Sequence, residues 1–315
     1  MSADTNRELF ADVARELGLP HPGLVEKDFH VVRALSALQQ VHAEGAYLVF
    51  GGGTSLCRAH LLIERMSEDI DLRILTEDKS TSLGPGARKR FRQAVTRALL
   101  DAGFDFDPEN ADHLQTYDGG KTFAYSLPYA PVTDAVTSLR PGVKVEISSW
   151  PLSLAPVLKD VSSFVAVAKK EGAEVKGIPC VDVAETAADK FVALTRRIAD
   201  EQSGRVDRDP SLIRHIYDLH RITSNVDLTA ISPMLGAIME SDRRSRGAKV
   251  PGYAEDPLGV TLSALESLAK DDGYAAVFTR FQQDMVYGAH VEMGECLPTL
   301  RAYADQLVDH KSLDA

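Results

Sequence analysis

The stretch that decides the fold reads Phe-Gly-Gly-Gly-Thr-Ser-Leu over residues 50–56 and Ser-Glu-Asp-Ile-Asp-Leu over residues 67–72. An apolar run at residues 47–50 predicts a short buried strand, and the glycines predict the tight turn that ends it. Helical character follows over residues 54–63. The alternation of charged and apolar residues around 70–75 then predicts a second strand. The order of strand, glycine turn, helix and acidic strand is far more specific than any one of its parts.

The acidic strand carries two carboxylates two residues apart. Side chains alternate along a strand, so Asp69 and Asp71 are expected on one face and Ile70 on the other. Two like charges on one face repel each other unless a cation lies between them. Ligation by oxygen alone suits Mg²⁺, with Mn²⁺ as the alternative. Magnesium held by carboxylates and completed by substrate phosphates is the usual arrangement at phosphoryl- and nucleotidyl-transfer sites.

The glycine turn supplies the complementary half of a phosphate site. Without a Cβ at Gly52 and Gly53, backbone N–H groups can approach phosphate oxygens closely. The hydroxyls of Thr54 and Ser55 can donate hydrogen bonds to the terminal phosphate. The turn is not a P-loop, since no lysine follows the glycines at the required position, and it does not match GxGxxG.

Composition excludes several classes of protein. Of the 315 residues, 44% are hydrophobic and 26% charged, as in a globular protein with a sizeable core. The net charge of −11 argues against a general nucleic-acid coat protein. No uninterrupted apolar stretch is long enough to cross a membrane, and residues 1–9 lack a secretory signal pattern. Three widely spaced cysteines form no disulfide framework, which is typical of a cytoplasmic protein.

The rest of the chain indicates an α/β protein in two parts. Strands are predicted at residues 122–127 and 143–148, with a strand-like run at 164–167. We place a mixed α/β domain over residues 1–160 and a mostly helical domain over residues 161–315. A long helix is predicted at 21–43 and a basic one at 87–100, and helices recur after residue 183, at 183–199, 210–222, 228–239, 257–268, 275–285 and 297–308.

The glycine turn and the acidic strand resemble motifs of a known family. Gly52 to Leu56 together with Ser67 to Leu72 is similar to motif I of the polymerase-β-like nucleotidyltransferases and, more narrowly, of the AbiEii/AbiGii toxin family, which includes the mycobacterial MenT toxins. Glu26-Lys27-Asp28 resembles the N-terminal signature of that family. The segments 185–197, which contains Lys190, and 214–219, which ends in Tyr-Asp-Leu, resemble its central and final motifs. The chain departs from the family at His215, where an aspartate is frequent.

The resemblance implies a polymerase-β-like mixed sheet with flanking helices, and a C-terminal helical domain that completes the active-site cleft. It implies metal ligation by Asp69 and Asp71, with a third acid on a neighbouring strand for which Glu146 is the candidate. It also implies that Lys190 reaches the triphosphate. Glu146 has two alternative interpretations: it is an ordinary strand carboxylate, or it pairs with Lys144. Lys190 has one alternative interpretation, in which its aliphatic stem lies along the helix and its amine reaches solvent.

Two further residues of the helical half take their roles from the resemblance. Arg197 lies on the same helix face as Lys190 and is expected to contact phosphate or RNA. Asp218 is the candidate catalytic carboxylate of the final motif. Its alternative is a structural partner for Arg214 or His215 on the same helix.

The function implied is that of a magnesium-dependent toxin of a type IV toxin–antitoxin system. It would transfer nucleotides from an NTP to an RNA acceptor, the 3′ end of tRNA, and so block translation, with a cognate antitoxin as partner. The alternatives are transfer of a nucleotidyl or phosphoryl group to a protein hydroxyl, and a non-catalytic binding module. Two basic clusters are the candidate RNA surfaces: Lys79, Arg88, Lys89, Arg90, Arg92 and Arg97, and Arg243, Arg244, Arg246 and Lys249. The alternative is that these side chains are solvated cations without a role in RNA binding.

Overall fold

A computed structural model describes residues 3–78, 81–246, 250 and 252–313 of the chain. The chain divides into two compact units, Met1–Val181 and Asp182–Ala315. The two strands that follow the last one expected from the sequence pair with the sheet of the first unit, so this unit extends beyond residue 160.

The first unit is built on one mixed sheet. Among the described residues it has eight strands, in the spatial order β4-β5-β6-β3-β2-β8-β7, with β1 paired to β2. The pairs β2/β8 and β3/β6 are parallel and the others antiparallel. The strands are β1 (His42–Ala43), β2 (Ala46–Gly51), β3 (Asp69–Thr76), β4 (Leu114–Tyr117), β5 (Thr122–Leu127), β6 (Val143–Ser148), β7 (Val157–Val161) and β8 (Val175–Cys180).

The helices of the first unit are α1 (Ala3–Glu16), α2 (Pro22–Leu38), α3 (Gly52–Arg58), α4 (Pro85–Asp101) and α5 (Phe164–Ala168). Of these, α2 and α4 pack on one face of the sheet and share its core. Leu35 of α2 and Phe91 of α4 join Phe50, Ile70 and Val145 of the strands in one buried core. The opposite face of β3 carries its acidic residues. Packing of the apolar face in the core therefore fixes the position of the strand that carries them.

Two local expectations were wrong. The helix expected over residues 21–43 ends at Leu38, and His42 pairs with Tyr47 across a turn in which Glu44 and Gly45 both have positive φ. The strand-like run at 164–167 is the short helix α5. It forms because the Ser163 side chain caps the helix by accepting from the Ala166 backbone N–H at 3.1 Å.

The second unit is helical throughout its described part, as the sequence indicates. Its helices are α6 (Val183–Gln202), α7 (Arg214–Ile222), α8 (Leu228–Arg246), α9 (Pro257–Lys270), α10 (Asp272–Met285) and α11 (Met293–Leu313). The ring of Phe191 on α6 stacks on Tyr303 of α11, with the ring centroids 5.4 Å apart. Within the part of the chain that the structure describes, every helix is too short or too polar to cross a bilayer. The expected α/β class with a helical C-terminal part is confirmed.

Candidate active site

The two aspartates of β3 lie side by side on one face of the sheet. Asp71 is the register partner of Gly51 on β2 and of Glu146 on β6, and Asp69 is the partner of Lys144. Between the two aspartates, Ile70 points into the core and is fully buried. The predicted alternation of β3 is therefore present, and both carboxylates lie on the face opposite the core.

The glycine bend lies directly against Asp71. Gly52 opens α3 with φ +69°, a conformation that side-chain-bearing residues rarely adopt. A Cβ placed on Gly52 would lie 2.8 Å from Asp71 Cγ. The bend and the carboxylate therefore share one space, and that space admits only glycine at position 52.

The two hydroxyl residues after the bend are buried. Thr54 and Ser55 are each 1% exposed. Thr54 Oγ1 donates to the Asp69 carbonyl oxygen and lies 2.9 Å from Ser67 Oγ. The Thr54 hydroxyl thus fastens α3 to the start of β3. A contact of either hydroxyl with a phosphate stays a prediction.

Two cations balance the carboxylates. Arg140 Nη1 lies 3.4 Å from Asp69 Oδ2, and Lys144 Nζ lies 3.0 Å from Glu146 Oε2. Burial works to lower the pKa of the Lys144 amine. The Glu146 carboxylate and, after it, those of Asp69 and Asp71 outweigh burial, so the pKa of Lys144 lies above its ordinary value.

The carboxylate face has the chemistry that a magnesium ion requires. Asp69 Oδ1 is buried and has no hydrogen-bond partner among the described residues, and a buried oxygen left in this state costs free energy. The described residues contain no group of three His, Cys, Asp or Glu side chains arranged to hold a metal, and Glu146 pairs with Lys144. One or two carboxylates with substrate phosphates suffice for Mg²⁺, so Asp69 and Asp71 fit the ion.

The Glu26-Lys27-Asp28 signature lies buried on α2 and fastens distant segments around the site. Lys27 pairs with Glu68 at 3.4 Å, both side chains being 1% exposed, and donates to the carbonyl oxygens of Arg140 and Gly142. Glu68 accepts from the Arg140 backbone N–H at 2.8 Å. The Lys27–Glu68 pair therefore holds the segment that places the Arg140 guanidinium beside Asp69.

Glu26 and Asp28, the two acids of the signature, also bind segments that are distant in the sequence. Glu26 accepts from the backbone N–H groups of Val132 and Thr133, at 2.7 and 3.0 Å. Asp28 pairs with Arg58 at 2.7 Å and accepts from the Phe164 N–H, also at 2.7 Å. Burial raises the pKa of Asp28, and Arg58 works against that rise. These contacts give the signature a structural role that the sequence alone does not reveal.

Arg140 and Arg65 belong to this site, although the sequence patterns did not indicate either of them. Arg140 lies in a loop whose prolines gave no structural pattern, yet its side chain reaches Asp69. Arg65, 2% exposed, donates to the Met66 carbonyl at 2.8 Å and packs against Gly53. The sequence signal for Arg65 was its position alone, two residues before Ser67 in the segment that leads into the acidic motif.

The helical unit holds the other predicted residues. Lys190 Nζ on α6 lies 2.9 Å from Asp218 Oδ2 on α7, with the Asp218 side chain fully buried. His215 Nδ1 lies 3.3 Å from the same amine. Arg197 pairs with Asp209. The structure therefore brings Lys190 and Asp218 together, with the His215 imidazole beside the same amine.

Three of the described cations in the two basic clusters form ion pairs. Arg90 forms an ion pair with Glu44 at 2.6 Å, and Arg243 and Arg244 both pair with Glu240, at 2.6 and 2.7 Å. Exposed pairs of this kind contribute little stability. The residues Lys79 and Lys249 and the side chain of Arg246 lie outside the described residues. The guanidinium of Arg88 donates hydrogen bonds to backbone carbonyls, whereas those of Arg90, Arg243 and Arg244 pair with glutamates.

The sequence matches a model of a known family, and the fold is similar to that of a solved structure. The family described as "Nucleotidyl transferase AbiEii toxin, Type IV TA system" matches residues 33–306. Among solved structures, the chain is similar to MenT4, a nucleotidyltransferase toxin from Mycobacterium tuberculosis. The identity is 19% and the TM-score 0.58, over 95% of this chain and 89% of that one. At this identity the likeness shows a shared fold. No curated protein matches the sequence.

Proposed function

We propose a reaction for this chain, which belongs to the AbiEii family of nucleotidyltransferase toxins of type IV toxin–antitoxin systems. The reaction is magnesium-dependent transfer of a nucleotidyl group from an NTP to the 3′ end of a tRNA, which blocks translation. The toxin is held in check by a cognate antitoxin. The observation that carries the proposal is the contact between the Gly52 bend and the Asp71 carboxylate on the face that Asp69 shares.

The first unit supplies the residues for the chemistry. Asp69 and Asp71 would hold Mg²⁺, which, when bound, neutralises charge on the triphosphate. The backbone of the bend at Gly52 and Gly53 approaches the phosphates, since no Cβ stands in the way. The Arg140 guanidinium, 47% exposed beside Asp69, offsets negative charge that develops during transfer.

Bond changes in this reaction are those of in-line displacement. The acceptor hydroxyl gives up its proton to solvent and its oxygen forms a bond to the α-phosphorus. The bond from that phosphorus to the oxygen that bridges to the β-phosphate breaks, and pyrophosphate leaves. The residues act mainly by holding both reactants in line and by neutralising charge. Glu146, the register partner of Asp71, stays the candidate third acid of this face, with Lys144 as its partner before substrate binds.

The helical unit contributes Lys190, Arg197 and Asp218 in this proposal. Lys190 supplies a positive charge for the triphosphate, and Asp218 is its positioning residue, since the buried carboxylate fixes the amine at 2.9 Å. Support for these roles comes from the family motifs and from the Lys190–Asp218 contact within the unit.

The test is transfer from NTPs labelled at the α-phosphate, each of the four separately, to total RNA. The proposal predicts label in the tRNA fraction, dependent on Mg²⁺. Asp71→Asn should abolish labelling, while Asp105→Asn, which removes an exposed carboxylate from the same unit, should not. Label found only in protein would overturn the RNA acceptor, and toxicity undiminished by Asp71→Asn would favour a non-catalytic binding module.

A further inference from the structure

A cavity of about 460 Å³ opens in the first unit, near the end of β3 opposite Asp69 and Asp71. Its walls come from the last residues of β3, from the loop before α4 and from residues 149–156 after β6. Because β3 and β6 are parallel, their carboxyl ends meet at this edge of the sheet. The volume lies in the range of about 300–1,000 Å³ that small-molecule sites occupy.

The charge of the cavity wall is positive. Among the described residues that line it, Arg88 and Lys121 are the ionisable ones, and no carboxylate is present. A wall of this kind is notable in a chain whose net charge is −11. The local field favours an anionic ligand.

The wall also offers a flat aromatic surface. Trp150, the single tryptophan of the chain, lines the cavity and is half-buried. Lys121 Nζ lies 6.0 Å from the centroid of its ring. A ring and a cation this close match a ligand that joins an aromatic base to a phosphate, because bases stack on tryptophan irrespective of sequence.

Polar groups of the wall are fixed in place or lack partners. Arg88 donates to the carbonyl oxygens of Leu83 and Gly119, at 2.7 and 3.3 Å, which immobilises its guanidinium. Arg88 Nε and Ser149 Oγ are both buried and without a hydrogen-bond partner in the described part of the chain. Unmet polar groups cost free energy that hydrogen bonds to an oxygen-rich ligand would recover.

One strand face connects the cavity to the carboxylates. Asp71, Arg73 and Leu75 point to the same side of β3, and Leu75 lines the cavity. At about 3.3 Å per residue, Asp71 and Leu75 lie roughly 13 Å apart along the strand. A strand of nucleic acid that reaches the carboxylates along this face would pass Arg73 and meet the cavity.

We propose that this cavity binds one nucleotide unit of the RNA acceptor, with its base stacked on Trp150 and its phosphate held by Arg88 and Lys121. The assignment rests on the RNA acceptor of the proposed function. A free nucleotide shares the same chemistry, so the test must separate the two sources.

Trp150 fluorescence gives a direct readout, since no other tryptophan contributes. Titration of the full chain with a single-stranded RNA oligonucleotide, without NTP, should quench the signal saturably. A nucleoside monophosphate should quench it only at much higher concentration, and inorganic phosphate should not quench it. Saturable quenching by the mononucleotide with none by RNA would overturn the assignment to RNA.

Matched variants locate the binding. Lys121→Gln should weaken RNA binding roughly fivefold and make its salt dependence shallower by about 0.7 in the log–log slope. Lys169→Gln, which removes an exposed lysine after α5 in the same unit, should change neither. Equal effects of the two substitutions would overturn the proposal.

Binding of fluorescein-labelled RNA, followed by anisotropy, extends the test to the ring. Trp150→Ala should bind roughly 5- to 150-fold more weakly, and Trp150→Phe, which keeps a ring, should stay close to wild type. Trp150→Phe also guards against misfolding of the alanine variant. Wild-type affinity in Trp150→Ala would overturn the stacking.

The assignment of the cavity and the proposed reaction can be tested independently of each other. Asp71→Asn should lose transfer yet keep the fluorescence quenching, because Asp71 does not line the cavity. If tRNA is labelled but Trp150 does not respond to RNA, the cavity assignment is wrong and the proposed function stands. If RNA quenches Trp150 but is never labelled, the RNA acceptor is wrong as a substrate while the binding site stands.

Discussion

Gly52 lies so close to Asp71 that any side chain at position 52 would enter the space of the carboxylate. The sequence separates these residues by a helix and a loop, and the antiparallel pairing of β2 with β3 returns them to one another. Position 52 therefore requires glycine for two reasons: its φ is positive, and its backbone approaches a carboxylate closely.

Gly52→Ala should therefore abolish nucleotidyl transfer. Gly45→Ala is the matched control, because Gly45 also has a positive φ, +65°, but nothing lies within 4 Å of the added Cβ. Each substitution should cost about 1 kcal/mol of unfolding free energy from backbone strain alone. Transfer assays and urea unfolding separate the two effects, and an active Gly52→Ala would contradict the site.

Loss of the buried Lys27–Glu68 pair should destabilise the first unit strongly. Lys27→Met removes the ammonium that pairs with the buried Glu68 carboxylate and that donates to two backbone carbonyls, which costs about 3–5 kcal/mol. Arg15→Met breaks an exposed pair with Asp12 and should cost less than about 1 kcal/mol. Urea unfolding followed by Trp150 fluorescence reports this unit, and similar midpoints for the two variants would refute the role of the pair.

His30 should make the first unit sensitive to acid. Burial lowers the pKa of His30 to about 4, and the ring stacks on Tyr129 at 4.1 Å. The unfolded chain, with a histidine pKa near about 6.5, binds the proton more readily. This contribution to stability is therefore complete above pH ~6.5 and is lost as the pH falls toward 4.

His30→Phe keeps a ring and removes that titration. Between pH 7 and 5 the variant should lose about 1–2 kcal/mol less stability than wild type, measured by urea unfolding at each pH. Taking the difference cancels the other acids, including Asp28, whose pKa burial raises. Parallel pH profiles for the two proteins would exclude His30 as the source.

In the helical unit, Asp218→Asn should raise the KM for NTP and lower transfer, because the Lys190 amine loses its fixed partner. Asp242→Asn is the control, since Asp242 also forms an ion pair in the same unit, with Arg196 at 2.8 Å, although it is 21% exposed where Asp218 is fully buried. Both variants should lose some stability. If both shift the KM equally, the Lys190–Asp218 pair is structural only.

Sequence patterns predicted the strands and helices whose periodicity is strong, among them β3, α4 and α6, and they predicted that the Asp69 and Asp71 carboxylates share a face. The strands β4, β7 and β8 were not predicted, because they are short and partly exposed and their pairing depends on distant residues. The pairing of α2 residues with the loop at Arg140 also spans more than a hundred residues. No local pattern records such a contact.

A crystal structure with Mn²⁺ and an NTP analogue that resists cleavage at the α-phosphate shows directly whether Asp69 and Asp71 hold the metal. We expect an anomalous peak bound by both carboxylates, with the triphosphate along the bend at Gly52. A triphosphate bound elsewhere, with both carboxylates free of metal, would contradict this expectation.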